Sequence, residues 1–384
     1  MRRGHETVFH LLLLCAAVVL GAVDAEGQSP ADSSGGRLQQ VFRERLEALD
    51  LSGSQQAAVR RLVVEHRGRL RSEAFREALA DLLTDEQRAT LARLRVAARP
   101  PADGELKVTR DVAYDEADDS LRSLDIYAPA DARGLPVMVF IHGGGWRQGD
   151  KGQAAEKGRF FVERGWLLVS INYRLSPAVQ HPVHIEDVIR ALAWVKEEIA
   201  AYGGDPERIS LMGNSAGAHL AALAGVDTRR LAAEGLKPSD VSSVILLDGA
   251  GYDITWQVNE LGGLRAGPMF RAAFGDAEEG WNDASPVVQV KSASDLPHFL
   301  IFHVASRDDS RRQSERLADA VRASGGQAAV VAAAGKNHGT INREIGLDGD
   351  PVTAIVMRVL TAIEDGEDPF TPGNLAYAES RSGE

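Results

Sequence analysis

Cysteine is almost missing from this chain: its 384 residues contain one, Cys15. Past that residue neither a disulfide framework nor a cysteine-zinc site can be assembled, so stability must come from a buried core. The apolar run that holds Cys15, from Val8 to Gly21, is itself shorter than the ~20 residues needed to cross a bilayer. Between residues 37 and 97 proline is absent, which leaves helices unbroken there. Positive charge is also in deficit, with 43 Lys and Arg against 55 Asp and Glu for a net charge of −12. The imbalance is uneven, because residues 37 to 99 hold 13 arginines against 9 acids while residues 100 to 384 carry about −14. An acidic main domain repels nucleic acid and anionic lipid, so no nucleic-acid partner is expected.

What is present begins with Met1-Arg2-Arg3, the apolar run, and then Ala22-Val23-Asp24-Ala25. This basic, apolar, small-residue order is that of a secretory signal, with cleavage expected after Ala25, export to the periplasm or medium, and no stable membrane insertion afterwards. A lipid attachment at Cys15 is disfavoured by the bulky Leu14 before it. Residues 26 to 36 have linker composition. Residues 37 to 99 then show helical spacing, as in Val59, Leu62 and Val63, and predict a small all-helical module. In "LSGSQ" and "LTDEQ" a hydroxyl stands three residues before a glutamine, the spacing of a helix capping box. The repeated start resembles those of periplasmic Spy-like chaperones.

"ARPPADGE" at residues 98 to 105 marks a boundary. Beyond it, eight strand-like runs are interleaved with helical ones; in one of these, Ile185, Val188, Ile189, Leu192, Val195 and Ile199 share a face. Strands that are apolar throughout predict an α/β fold over residues 105 to 364, with a mostly parallel sheet covered on both faces by helices and an antiparallel edge made by the first two strands. Residues 365 to 384 have the composition of a loose tail.

The chemistry centres on Gly213-Asn214-Ser215-Ala216-Gly217, where "RISLMG" supplies a strand and "SAGAHLAALAG" a helix. In that setting G-x-S-x-G is a nucleophile elbow: the glycines make room for a turn so tight that one hydroxyl projects from the carboxyl end of the sheet. Attack by serine puts negative charge on a carbonyl oxygen, which backbone amides must stabilise. "FIHGGGWRQGD" follows an apolar strand and supplies them, from Gly144 and Gly145, with the Ala216 amide completing the oxyanion hole. A base follows in "AAGKNHGTINR", which puts His338 after the last strand, and "SRDDS" puts Asp308 and Asp309 after the strand before it. The order serine, aspartate, histidine suits a triad of Ser215, Asp309 and His338, with Asp308 as the alternate acid. Residues 250 to 283 form a long insertion that reads as a cap. Trp146, Trp256 and Phe270 are candidates for the substrate pocket, and Met269 and Phe274 add to the cap's apolar side.

Over about residues 105 to 364 the chain resembles α/β-hydrolases of the carboxylesterase, hormone-sensitive-lipase-like type, in particular the bacterial acetyl and feruloyl esterase-like branch. HGGGW, GNSAGAHLA, "LDIYAP", "INYRLSP", "HPVHIEDVIRALAWV" and "ASP" carry the resemblance. Members often have Asp or His at the position of Asn214, and in the family pattern Tyr173, Arg174 and Asp187 are structural. The resemblance implies a serine ester hydrolase that forms an acyl-enzyme, takes a small-molecule or carbohydrate-linked ester, and uses neither metal nor organic cofactor. Two rivals stand beside it. One is arylformamidase-like amide hydrolysis, although those enzymes commonly carry tyrosine where this chain has Gly145. The other is a periplasmic chaperone or binding protein whose hydrolase scaffold is silent.

Overall fold

All eight runs read as strands lie in one sheet. The structure is a computed structural model, and it describes residues 51–65, 78, 81–84, 87, 105–116, 119–260 and 267–377. The expected signal, the linker, much of the helical module and the last residues of the tail lie outside these. The chain divides into two compact units, residues 101–356 and residues 1–100 with 357–384. The sequence reading carried its domain to residue 364, and the helix Pro351–Glu364 runs through the point of division.

In the larger unit the strands are β1 (Leu106–Ala113), β2 (Ser123–Pro129), β3 (Leu135–Ile141), β4 (Leu167–Ile171), β5 (Gly204–Asn214), β6 (Ser243–Leu247), β7 (His298–Val304) and β8 (Ala328–Ala333). Their spatial order is β1-β2-β4-β3-β5-β6-β7-β8. β1 and β2 pair antiparallel at the edge, β2 runs antiparallel to β4, and all later pairs are parallel. The burial pattern explains the composition. β1 has only half-buried and exposed positions, as an edge strand does, whereas β4 and β6 are buried at every position.

Helices pack around this sheet. Val183–Glu198 turns the predicted stripe of Ile185, Val188, Ile189, Leu192 and Val195 into the core, each at most 1% exposed. Truncating one of these to alanine would cost about 2–5 kcal/mol through lost burial and the cavity left behind. Ala216–Ala224 is buried along its whole length, against β5 and β6, which fixes the residue before it at the sheet end.

In the smaller unit the two predicted capping boxes form. Ser52 Oγ accepts from the Gln55 amide at 3.2 Å while Gln55 Oε1 accepts from the Ser52 amide at 2.9 Å. Thr84 and Gln87 repeat the exchange at 3.2 and 3.0 Å. The two glutamines also bond each other, Gln55 Nε2 donating to Gln87 Oε1 at 2.7 Å and Gln87 Nε2 to Gln55 Oε1 at 3.2 Å. Each side chain thus closes its own helix start and ties it to the other.

Candidate active site

Ser215 is held at the turn between β5 and the helix Ala216–Ala224, with φ 54° and ψ −118°. A non-glycine residue there stores about 1–3 kcal/mol of backbone strain. The flanking glycines are sterically required: a Cβ on Gly213 would stand 2.2 Å from the Gly217 carbonyl oxygen, and one on Gly217 would stand 2.1 Å from that of Ile141. The crowding expected from the motif is therefore present, against the helix at one position and against the end of β3 at the other. The Ser215 amide donates to the Leu247 carbonyl at 3.1 Å, which ties the elbow to the end of β6.

His338 comes from the loop after β8. Its Nε2 lies 3.1 Å from Ser215 Oγ, so the hydroxyl can donate to the imidazole. The loop is braced on both sides of the histidine. Asn337 Oδ1 accepts from the amides of Gly339 at 2.9 Å and Thr340 at 3.0 Å, and Thr340 Oγ1 accepts from the Asn337 amide at 2.8 Å. Before it, the largely buried Lys336 ammonium pairs with both Glu344 and Asp350.

The acid is where the structure corrects the sequence reading. His338 Nδ1 donates to Asp248, at 2.6 Å, and neither Asp309 nor Asp308 takes part. Asp309 lies in the first turn of the helix Asp308–Ala323 and pairs with Arg307 at 3.1 Å, while Asp308 is turned outward to Arg311 at 2.6 Å. Asp248 lies one residue past β6, where the register that sets Asn214 beside Leu247 also sets residue 248 beside the elbow. Its carboxylate is fully buried and well supplied: Ser310 Oγ donates to Oδ1 at 2.6 Å, the Val304 amide donates at 3.0 Å, and Arg307 forms an ion pair with Oδ2. Burial would push this carboxyl up, but the bonds from His338, Ser310 and Val304 and the Arg307 charge outweigh it and hold it at about 2.

Arg307 also brings Nη1 within 2.9 Å of His338 Nδ1. With Nε2 accepting from Ser215, Nδ1 carries the proton, so this contact joins two donors and is no hydrogen bond. The guanidinium is bound to Asp248 and merely lies beside the ring. The segment expected to provide the acid thus provides the cation and the hydroxyl that hold it.

The glycine loop follows β3 as expected. Gly144 and Gly145 have φ 125° and 61°, and the Gly144 carbonyl accepts from the amides of Arg147 and Gln148, each at 3.2 Å, closing the turn. A Cβ on Gly144 would fall 1.9 Å from the Gln148 carbonyl oxygen, so only glycine fits. His142 and Tyr173 support the loop: their rings stack 4.5 Å apart, and the Tyr173 hydroxyl donates to the His142 carbonyl at 3.1 Å. Buried Asp187 grips Arg174 through Nε at 2.8 Å and Nη2 at 2.6 Å.

Gly144, Gly145, Ser215 and His338 all border one cavity of about 1000 Å³. Of the three aromatic candidates only Trp146 lines it. Phe270 is packed behind Trp146 with centroids 5.4 Å apart, and Trp256 lies under the guanidiniums of Arg312 and Arg316 at 4.6 and 5.0 Å. The described part of the insertion, including helices Ile254–Glu260, Gly267–Phe274 and Glu278–Asp283, contributes Met269 to the cavity wall. His219, four residues after the serine, is a structural link that the motif did not announce. It is fully buried, its Nδ1 accepts from Trp146 Nε1 at 3.3 Å and its Nε2 donates to the Ala284 carbonyl at 2.7 Å. Burial lowers its pKa to about 3, so the ring stays neutral.

Comparison with known proteins sets this chain among esterases. The profile of the BD-FAE family matches residues 124–321. A probable isoprenylcysteine alpha-carbonyl methylesterase of Oryza sativa subsp. japonica is 32% identical over 303 residues, which cover 72% of this chain and 67% of that protein. Esterase LipQ of Mycobacterium tuberculosis is 38% identical over 189 residues, 47% of this chain and 44% of that protein. The chain therefore spans between under half and two thirds of these relatives' lengths. Among solved structures, a truncated carbohydrate esterase from gut microbiota superposes with TM-score 0.59 at 25% identity, covering 69% of this chain and 98% of that one. The thermophilic carboxylesterase EstE1 from a metagenomic library gives 0.53 at 26% identity, covering 74% and 97%. These likenesses support a carboxylic ester hydrolase.

Proposed function

This chain belongs to the BD-FAE family of α/β-hydrolases, and from that premise we propose that it is a serine ester hydrolase acting through an acyl-enzyme. The observation that carries the reading is the unbroken relay from Ser215 Oγ through the His338 imidazole to Asp248, at 3.1 and 2.6 Å.

In the proposed cycle Ser215 Oγ attacks the ester carbonyl carbon as its proton passes to His338 Nε2. The tetrahedral oxyanion is received by the amides of Gly144, Gly145 and Ala216, each such donor being worth about 3–4 kcal/mol in a preorganised hole. Asp248 keeps the Nδ1 proton in place and steadies the imidazolium. Collapse breaks the carbon–oxygen bond to the alcohol, which takes the Nε2 proton and departs. Water then repeats the sequence on the acyl-serine, giving the acid and restoring the hydroxyl. The low pKa of Asp248 suits this role, since the carboxylate stays charged throughout the range in which a neutral imidazole can act as base.

Export rests on the order of residues 1–25, and a small-molecule or carbohydrate-linked ester as substrate is consistent with the carbohydrate esterase among the solved structures. The test is covalent capture: an alkyl fluorophosphonate should modify the protein once, with the adduct located on Ser215 by peptide mass spectrometry. An unmodified serine under conditions that label a known serine esterase overturns the mechanism.

A further inference from the structure

The cavity wall carries an uncompensated charge. Among its described residues are three arginines, Arg147, Arg307 and Arg343, and no aspartate or glutamate. Arg307 is neutralised by Asp248 and Asp309. Arg147 and Arg343 are not: both are exposed, and neither meets a carboxylate within ion-pair distance among the described residues. Both are placed by the catalytic loops themselves. Arg147 follows the three glycines and Trp146, and its amide closes the glycine turn on Gly144 at 3.2 Å. Arg343 ends the short helix Thr340–Arg343, and its guanidinium lies over Gly339, the residue after His338, 3.7 Å from where a Cβ would stand.

This is unusual for the chain as a whole, in which acids outnumber Lys and Arg by 55 to 43. The overall field of such a protein repels anions, and a concave site lined by one sign of charge focuses the opposite preference locally. Most arginines of the larger unit are paired, as Arg110, Arg122, Arg174, Arg230, Arg311 and Arg316 are. Two left unpaired beside the nucleophile and the base mark a place where the ligand supplies the counter-charge.

Resting on the ester hydrolase reading, we propose that the substrate is an anionic ester, one that bears a carboxylate within reach of the scissile carbonyl, and that Arg147 and Arg343 hold that carboxylate. The carboxylate can belong to the acyl group or to the alcohol, and both present the same planar pair of oxygens to a guanidinium fork.

The experiment uses the full chain with two matched pairs of esters. The mono-p-nitrophenyl ester of glutaric acid against that of glutaramic acid places the charge on the acyl side. The acetate ester of p-hydroxybenzoate against that of p-hydroxybenzamide places it on the alcohol side. In one pair the carboxylate should be preferred in kcat/KM by about tenfold at low salt. That preference should shrink as the Debye length falls from about 30 Å at 0.01 M to about 3 Å at 1 M. Arg147→Ala and Arg343→Ala should each reduce the preference by about threefold, the scale of an exposed ion pair, with Arg→Lys retaining part of it. Equal rates within both pairs overturn the inference while the hydrolysis of all four esters still supports the enzyme reading. A preference that survives in the double alanine variant also overturns it. Failure to hydrolyse any of the four removes the enzyme reading and this inference together.

Discussion

Asp248 and His338 stand 90 residues apart in the chain and meet at 2.6 Å, one leaving β6 and the other the loop after β8. The acid thus comes from the strand bonded directly to the nucleophile's strand, not from the aspartate pair two strands away in the sequence reading.

Asp248→Asn should therefore be the damaging acid substitution. An amide in that place cannot stabilise the imidazolium and favours the wrong imidazole tautomer, a change that costs about 10⁴ in kcat in the corresponding serine-protease variant. Asp309→Asn and Asp308→Asn remove only partly exposed ion pairs and should change kcat by less than about fivefold. Steady-state kinetics on p-nitrophenyl acetate decide it: a loss for Asp309→Asn as deep as that for Asp248→Asn would return the role to the β7 loop.

Ser215→Ala should lower turnover by roughly 10⁶, leaving the residual rate that binding and oxyanion donors sustain alone. The same variant should stay dark to a fluorescent fluorophosphonate that labels the wild type. Retention of most of the activity would show that another group attacks.

An elbow glycine should be intolerant of a side chain where a glycine with open space beside it is not. Gly217→Ala sets a methyl 2.1 Å from the Ile141 carbonyl, where the sheet cannot retreat, so stability should fall by about 1–3 kcal/mol or more along with activity. Gly267→Ala meets nothing within 4 Å, and at a helix start it should be neutral or stabilising by up to about 1 kcal/mol. Urea midpoints of the two variants against wild type provide the measurement, and equal losses would refute the steric account.

Lys157 offers a pH test remote from the site. It is buried with its ammonium 5.1 Å from the Phe140 ring centroid, and burial lowers its pKa from 10.5 to about 8. Below that value both folded and unfolded lysine are protonated and the full desolvation cost is felt. Between pH 8 and 10.5 the unfolded lysine keeps a proton that the folded one has released, so this residue's contribution to stability rises across the window. Lys157→Met should thus stabilise the protein at pH 7 by on the order of 3 kcal/mol, and its advantage in denaturant midpoint should narrow towards pH 10.5. An advantage that does not change with pH would mean that the ammonium is not desolvated.

Much of this was legible from residue order because the fold and the elbow are local signals. Apolar runs bounded by turns gave all eight strands, and a strand, a G-x-S-x-G turn and a helix gave Ser215. Even the twin capping boxes follow from three-residue spacings. The acid was not legible by the same means. "SRDDS" offers two aspartates in a loop, whereas Asp248 closes an apolar strand in "VILLDG" and reads as a strand-end residue. A signal was there, since a single carboxylate at the carboxyl end of a buried strand needs a partner. Choosing it required knowing that β6 lies beside β5, and that Arg307 points inward and so occupies the approach that Asp308 or Asp309 would need. The pocket aromatics divided likewise: Trp146 is fixed by the glycine loop, whereas the surroundings of Trp256 and Phe270 depend on how a long insertion packs, which periodicity does not encode.

Seating the acid at the end of β6 divides the relay into a stiff half and a movable half. The distance from Ser215 to Asp248 is set by the ladder between two adjacent strands, so it cannot change without unzipping the sheet. The imidazole alone arrives on a loop, tethered through Lys336 to Glu344 and Asp350. A substitution that loosens that tether detunes catalysis by moving one member while the other two keep their spacing.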